Sequence, residues 1–168
     1  GWQVANVTLK HERMLLGDAS KLMHRVHRLR ALLERMEVDG VPLIRKPQWR
    51  ERFLRLQGEA LAMKYHQKRL LGEAAKGEEP GLGVLIVKYV GTVLAWKLTA
   101  LAVDALGDAG LPYEPYDDVG EDDEATGWYA DHMYDLGLII GGGSSNIQKN
   151  IIAERGLGMP REPRAGTS

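Results

Sequence analysis

From residue 15 to residue 106 apolar side chains recur every three or four positions, a period that one face of a helix satisfies and a strand does not. In the first stretch Leu15, Ala19, Leu22, Val26, Leu29 and Leu33 share a face, and no proline interrupts it. The spacing predicts a helix from about Gln3 to Arg35. Glu37 to Pro42 reads as a turn, built around Asp39 and Gly40. A second helix follows from Pro47, a favoured first helical residue, to Ala75, with Trp49, Phe53, Leu56, Ala60, Met63 and Leu70 on one side. Lys76 to Gly81 breaks the chain. A third helix, from about Val84 to Leu106, is apolar nearly all round. Lys88, Gly91, Lys97 and Asp104 interrupt it, so it reads as a central buried helix with no membrane span.

Gly107 to Gly127 is rich in glycine, proline and acid, and reads as an exposed loop. A fourth helix is expected from about Ala125 to Ile140 and a short fifth from Ser145 to Arg155. Ser145 and Gln148 fit a capping box, and Gly156 and Gly158 fit a stop. Strand signals are weak throughout. Four helices with short links predict an all-α, up-down-up-down four-helix bundle with a short C-terminal fifth helix. One domain over residues 1–158 and a frayed tail over 159–168 complete the expected organisation.

Charge narrows the function classes. The net charge is −1, yet residues 1–70 hold 15 Lys and Arg against 7 Asp and Glu, while residues 104–135 hold 11 acids and no Lys or Arg. An acidic segment in the same chain argues against a dedicated nucleic-acid binder; pairing of the two regions, within or between subunits, is the simpler account. The absence of cysteine excludes disulfides and thiolate chemistry. Gly1 to Val4 show no basic region leading into an apolar one, so the reading expects no export signal and a cytoplasmic protein.

Candidate chemistry lies at both ends of the chain. Running the first helical stripe back from Leu15 reaches Glu12, then Thr8 and Ala5. A carboxylate sharing a face with core residues has its pKa raised by desolvation, as a general base requires. A glutamate paired with a basic neighbour fits the same position. Arg13 stands beside it, able to pair or to position a substrate. Near the other end Gly141, Gly142 and Gly143 form a flexible hinge ahead of the fifth helix, where backbone can approach a bound group closely. His24 and His27 read as solvated, since no carboxylate-rich partner motif completes a metal site. The four tryptophans read as core or interface aromatics. Arg45, Lys46, Arg50, Arg52 and Arg55 form a basic patch that reads as a solvated helix face, with phosphate contact as the alternative.

The wording at both ends resembles the C-terminal domain of the acyl-CoA dehydrogenase family. Gly141 to Arg161 is similar to the family text G-G-T-S-E-I-Q-R-N-I-I-A-E-R-x-L-G-x-P-R, and Gly1 to Arg13 to G-W-x-V-A-x-T-T-L-x-x-E-R. The resemblance implies α,β-dehydrogenation of an acyl-CoA, in which a glutamate removes the α-proton while a hydride passes to FAD. Most members carry that glutamate just after the fourth helix, where this chain has Gly142. Isovaleryl-CoA and long-chain acyl-CoA dehydrogenases carry it in the first helix of this domain, before an arginine, which implies Glu12 as base and Arg13 beside it. The resemblance further implies that Ser144 and Asn146 touch the subunit's own flavin. Arg35 and Gly107 fall in the segments that hold a neighbouring subunit's flavin, although the phenylalanine after Arg35 is replaced by Val38 and the glutamine before Gly107 by Asp104. Family members assemble as homo- or hetero-tetramers and pass electrons to an electron-transfer flavoprotein or similar acceptor. The resemblance spans only the last third of a typical member, which implies that the chain alone is inactive. A non-catalytic bundle in a mixed oligomer is the rival reading.

Overall fold

A computed structural model describes residues 17–78, 83–110 and 124–161. The expected up-down-up-down bundle is present, formed by α1 (Ala19–Arg35), α2 (Pro47–Ala75), α3 (Gly83–Leu106) and α4 (Glu124–Ile140), with a short α5 (Ser145–Ile151) after it. Three of the four long helices match the predicted bounds to within a residue.

The exception is the start of α1, where the structure corrects the prediction of one helix from Gln3. Asp18 is the N-cap, and its Oδ1 accepts from Ser20 N at 2.8 Å. In an unbroken helix the amide of Ala19 would reach back to residue 15; here it donates to Gln67 Oε1 of α2 at 2.9 Å. Gln67 Nε2 in turn donates to Gly17 O at 2.8 Å. One side chain thus takes over two backbone groups and fixes a turn where periodicity alone would continue the helix. Gly17 is also pressed onto α3. A Cβ added at Gly91 would lie 2.5 Å from Gly17 Cα, and one added at Gly17 would lie 2.1 Å from Val87 O. Only two glycines permit backbones this close.

Past α1, Glu37–Val38 and Val41–Pro42 pair as a two-residue antiparallel hairpin, with Asp39 and Gly40 at φ 57° and 71°. A 3-10 turn over Leu43–Arg45 leads into α2, with Pro47 in its first turn. That helix ends at Gly77 (φ 78°), where Glu78 N–H donates to Glu73 O and Gly77 N–H to Ala74 O, a Schellman stop.

The α3 helix is the axis of the bundle. It packs against α1, α2, α4 and α5 and contributes Val87, Leu94, Leu98, Leu101 and Ala102 to the core. It is long and apolar enough to cross a membrane by length and composition, and more than half of that stretch is buried within the bundle. Val26, Leu29, Leu32 and Leu33 of α1 and Phe53, Ala60 and Met63 of α2 join it in the same core.

The two charge blocks meet across these helices, as the uneven sequence suggested. Arg25 pairs with Asp135, Arg28 with Asp131, and Arg52 with Asp104. Of the predicted loop, Gly107–Gly110 form a 3-10 turn, α4 begins at Glu124, and residues 111–123 lie outside the described residues. The fifth helix also differs from expectation. Ser144, one residue before the predicted cap, accepts from Ile147 N at 3.4 Å, so Gln148 falls beyond the capping-box position and turns inward. After Ile151 the chain widens into a π turn over Ile152–Gly156.

Candidate functional site

The alternating helix directions give the bundle two ends. At one lie the start of α1, the start of α3 and the end of α4; at the other lie the end of α1, the hairpin, the start of α2 and the end of α3. The predicted site residues divide between them.

Ser144 and Asn146 stand at the first end, on the glycine hinge and the start of α5. Gly142 and Gly143 have φ of 65° and 105°, a region that disfavours any side chain. The hinge is nevertheless held firmly. Lys88, fully buried on α3, donates from Nζ to Ile139 O at 3.0 Å and to Gly143 O at 2.6 Å. Ile139 belongs to the last turn of α4, whose carbonyls lack partners within the helix and carry partial negative charge, so the ammonium caps it from another helix. Gln148, also fully buried, donates from Nε2 to Gly142 O at 3.1 Å, and its Oε1 has no partner among the described residues. Ser144 Oγ accepts from Ile147 N, which leaves its hydroxyl proton free to donate outward. Asn146 is exposed. A polar, glycine-lined edge with a free hydroxyl and an exposed amide suits the polar rim of a flavin, so these residues fit the FAD that the sequence implied.

Glu12 and Arg13 lie outside the described residues. The described chain begins at Gly17, buried against Val87 and Gly91 and therefore one turn or less along α3 from Lys88.

Arg35 and Gly107 are not brought to this group. Arg35 is the exposed last residue of α1, and Gly107 (φ 56°) has open space around it just past α3. From Lys88 to Gly107 is about 28 Å along the helix axis. A single flavin cannot be held by both sets within one chain. Asp104, which replaces an uncharged residue of the family pattern, forms an ion pair with Arg52, so its charge is partly offset at this end.

Sequence reasoning missed a third group of polar residues between the helices. Arg25 Nη1 makes hydrogen bonds of 2.8 Å to both carboxylate oxygens of Asp135, which is fully buried and also accepts from Thr99 Oγ1 at 3.2 Å. Burial pushes the Asp135 pKa up and outweighs the opposing pull of the Arg25 guanidinium and the Thr99 hydroxyl. His132 Nδ1 lies 3.3 Å from Thr99 Oγ1, and its ring stacks on Trp96 with centroids 5.9 Å apart. Arg28 sits over buried Trp128, 4.3 Å from the ring centroid. Lys88 and Gln148 were missed too. A single lysine in an apolar run reads as an interruption, and the only available signal was its place in the otherwise most buried helix.

The remaining sequence candidates are plainer. His24 and His27 are exposed, and among the described residues no group of three or more His, Asp or Glu is arranged to hold a metal ion. In the basic patch Lys46, Arg52 and Arg55 pair with Asp39, Asp104 and Glu51. Trp128 is core, Trp49 and Trp96 are half-buried, and Trp2 lies outside the described residues.

Residues 1–157 match a family model described as acyl-CoA dehydrogenase, C-terminal domain. Acyl-CoA dehydrogenase IpdE1 of Mycobacterium tuberculosis is 33% identical over 166 residues, covering 98% of this chain and 40% of that protein. Acyl-CoA dehydrogenase FadE29 of the same organism is 28% identical over 168 residues, covering 98% of this chain and 41% of its own. Among solved structures, the ChsE4-ChsE5 complex from Mycobacterium tuberculosis superposes with a TM-score of 0.74 at 23% identity, covering 96% of this chain and 42% of that one. At that identity the likeness speaks for the fold. The chain spans about two fifths of the length of the curated relatives IpdE1 and FadE29.

Proposed function

Because the chain belongs to the acyl-CoA dehydrogenase family, as its C-terminal domain, we propose that it forms the helical bundle of a flavin-dependent enzyme that introduces an α,β double bond into an acyl-CoA thioester. Glu12 is the base that takes the α-proton, and Arg13 positions it or the substrate. Bound FAD supplies the hydride acceptor. Ser144 donates its free hydroxyl proton to the polar edge of the subunit's own flavin, with Asn146 beside it. Arg35, with Gly107, contributes to the flavin of a neighbouring subunit. The bundle by itself lacks the rest of the pocket and is inactive alone. The complete protein works as a homo- or hetero-oligomer and hands its electrons to an electron-transfer flavoprotein or similar acceptor.

The observation that carries this reading is the hinge. By the family resemblance Gly142 stands where most members place the catalytic glutamate, and a glycine offers no carboxylate there. The proton must then be taken by another segment. Gly17 is fixed one turn or less from the lysine that holds the hinge, and the five residues back to Glu12 span at most about 18 Å. That span is compatible with Glu12 as the base.

In the full-length parent, Glu12→Gln should lower flavin reduction by acyl-CoA by about 100-fold or more, the usual weight of a positioned base. Unchanged turnover across a panel of acyl-CoAs would remove the base assignment. The rival, a non-catalytic bundle in a mixed oligomer, draws on Val38 and Asp104, where the pattern for the neighbour's flavin is broken. A purified parent that is colourless and inactive by itself would favour it.

A further inference from the structure

We propose that Lys88 is a positioning residue for the dehydrogenation: its buried ammonium sets where the Gly141–Ser144 hinge stands against the substrate and the flavin edge. This rests on the dehydrogenase reading of the hinge given above.

Burying an ammonium in the most apolar helix of the bundle is costly, and a leucine or methionine would fill the same volume more cheaply. The interactions that offset the cost are specific. Nζ donates to Ile139 O at 3.0 Å and Gly143 O at 2.6 Å, one on each side of the glycine run. The glycine run itself resists displacement weakly. Gly141, Gly142 and Gly143 carry no side chain, and glycine has the widest backbone freedom of any residue. Gln148, through Gly142 O, and the Ser144 cap add to the anchorage. Lys88 differs from these two because it comes from another helix. Its neighbours Val87 and Gly91 are the residues against which Gly17 is pressed, and Gly17 is further clamped by Gln67. Lys88 therefore joins two parts of the site. Its backbone stands beside the Gly17 contact, and its ammonium holds the hinge. Displacing the hinge by even an ångström would shift the flavin edge beside it relative to the base, and those are the two groups that must act on adjacent carbons.

The test uses the full-length parent carrying Lys88→Met, which keeps the volume and removes the charge, and Lys88→Arg, which keeps the charge. Flavin reduction by acyl-CoA is followed after rapid mixing and expressed per bound flavin, together with hydrogen exchange at the Gly141–Ser144 amides. Lys88→Met should slow reduction by about tenfold or more, lower kcat more than it raises KM, and speed hinge exchange while α2 stays protected. Lys88→Arg should recover part of the rate. Should Lys88→Met fail to fold, Lys88→Gln, which retains one donor group, is judged by the same criteria. Wild-type reduction per bound flavin in the methionine variant would overturn the proposal, even if melting temperature or flavin content fell. An active parent with a dead Glu12→Gln and an unimpaired Lys88→Met removes only the role of Lys88. A flavin-loaded parent that reduces with no acyl-CoA removes the dehydrogenase reading and this inference together.

Discussion

Asp135 is fully buried, bound by two hydrogen bonds to Arg25 and a third to Thr99, and yet its pKa is raised. Desolvation dominates, so the folded protein holds a proton on this group more tightly than the unfolded chain does. The linkage sign follows. Between the ordinary aspartate range and the raised native value, the contribution of Asp135 to stability grows as pH falls and is lost as pH rises. Asp135→Asn should cost about 1–3 kcal/mol near neutral pH, because half-buried Arg25 loses the carboxylate that its Nη1 donates to and keeps only the longer ion pair with Asp131. The stability gap between wild type and variant should widen on acidification through that window. Urea denaturation at a series of pH values measures it, and a narrowing gap would contradict the buried-carboxylate account. Asp135 and Lys88 illustrate why polar residues of this kind are hard to find in a sequence. Asp135 looks like Asp131 one turn before it, Lys88 is a single charge in an apolar run, and the partners of both come from other helices or from backbone.

The helices themselves were largely legible. Pro47, Gly77 and Gly107 punctuate α2 and α3 with local signals, and the structure keeps those bounds. The start of α1 was not legible, because the break at Gly17–Asp18 depends on Gln67, about fifty residues away, and on a backbone contact with Gly91. The same contact separates two glycines that look alike in sequence. Gly58 lies in the interior of α2 with nothing near its missing Cβ, so Gly58→Ala should stabilise the chain by about 0.5–1 kcal/mol. Gly91 lies in the interior of α3, where an added Cβ would come within 2.5 Å of Gly17 Cα. Backbone cannot swing aside as a side-chain tip can, so Gly91→Ala should cost about 1–3 kcal/mol despite its better helix propensity. Denaturation midpoints of the two variants should shift in opposite directions. Equal shifts would mean that the Gly17 turn yields freely.

For the molecule as a whole, the separation of Ser144 and Asn146 from Arg35 and Gly107 matters most. Family wording singled out these residues, but a one-dimensional text could not say that they lie at opposite ends of a bundle whose α3 axis rises about 28 Å from Lys88 to Gly107. If each chain serves its own flavin with one end and a neighbour's with the other, defects at the two ends should complement. Oligomers of the parent made only of Arg35→Ala or only of Ser144→Ala subunits should lose flavin. Mixed oligomers should regain it, because each mixed pair rebuilds one intact site from the two undamaged ends. Absorbance of the purified mixtures reads the outcome, and no recovery would place both ends at separate tasks.

The central place of α3 has a further consequence, for how the protein is made. A ribosome releases α1 and α2 well before α3, so for that interval Val26, Leu29, Phe53 and Met63 have no axial helix to cover them. Until Leu106 clears the exit tunnel, the α1–α2 pair is an apolar hairpin awaiting its spindle. That is the stage at which chaperones or premature self-association compete most strongly with folding.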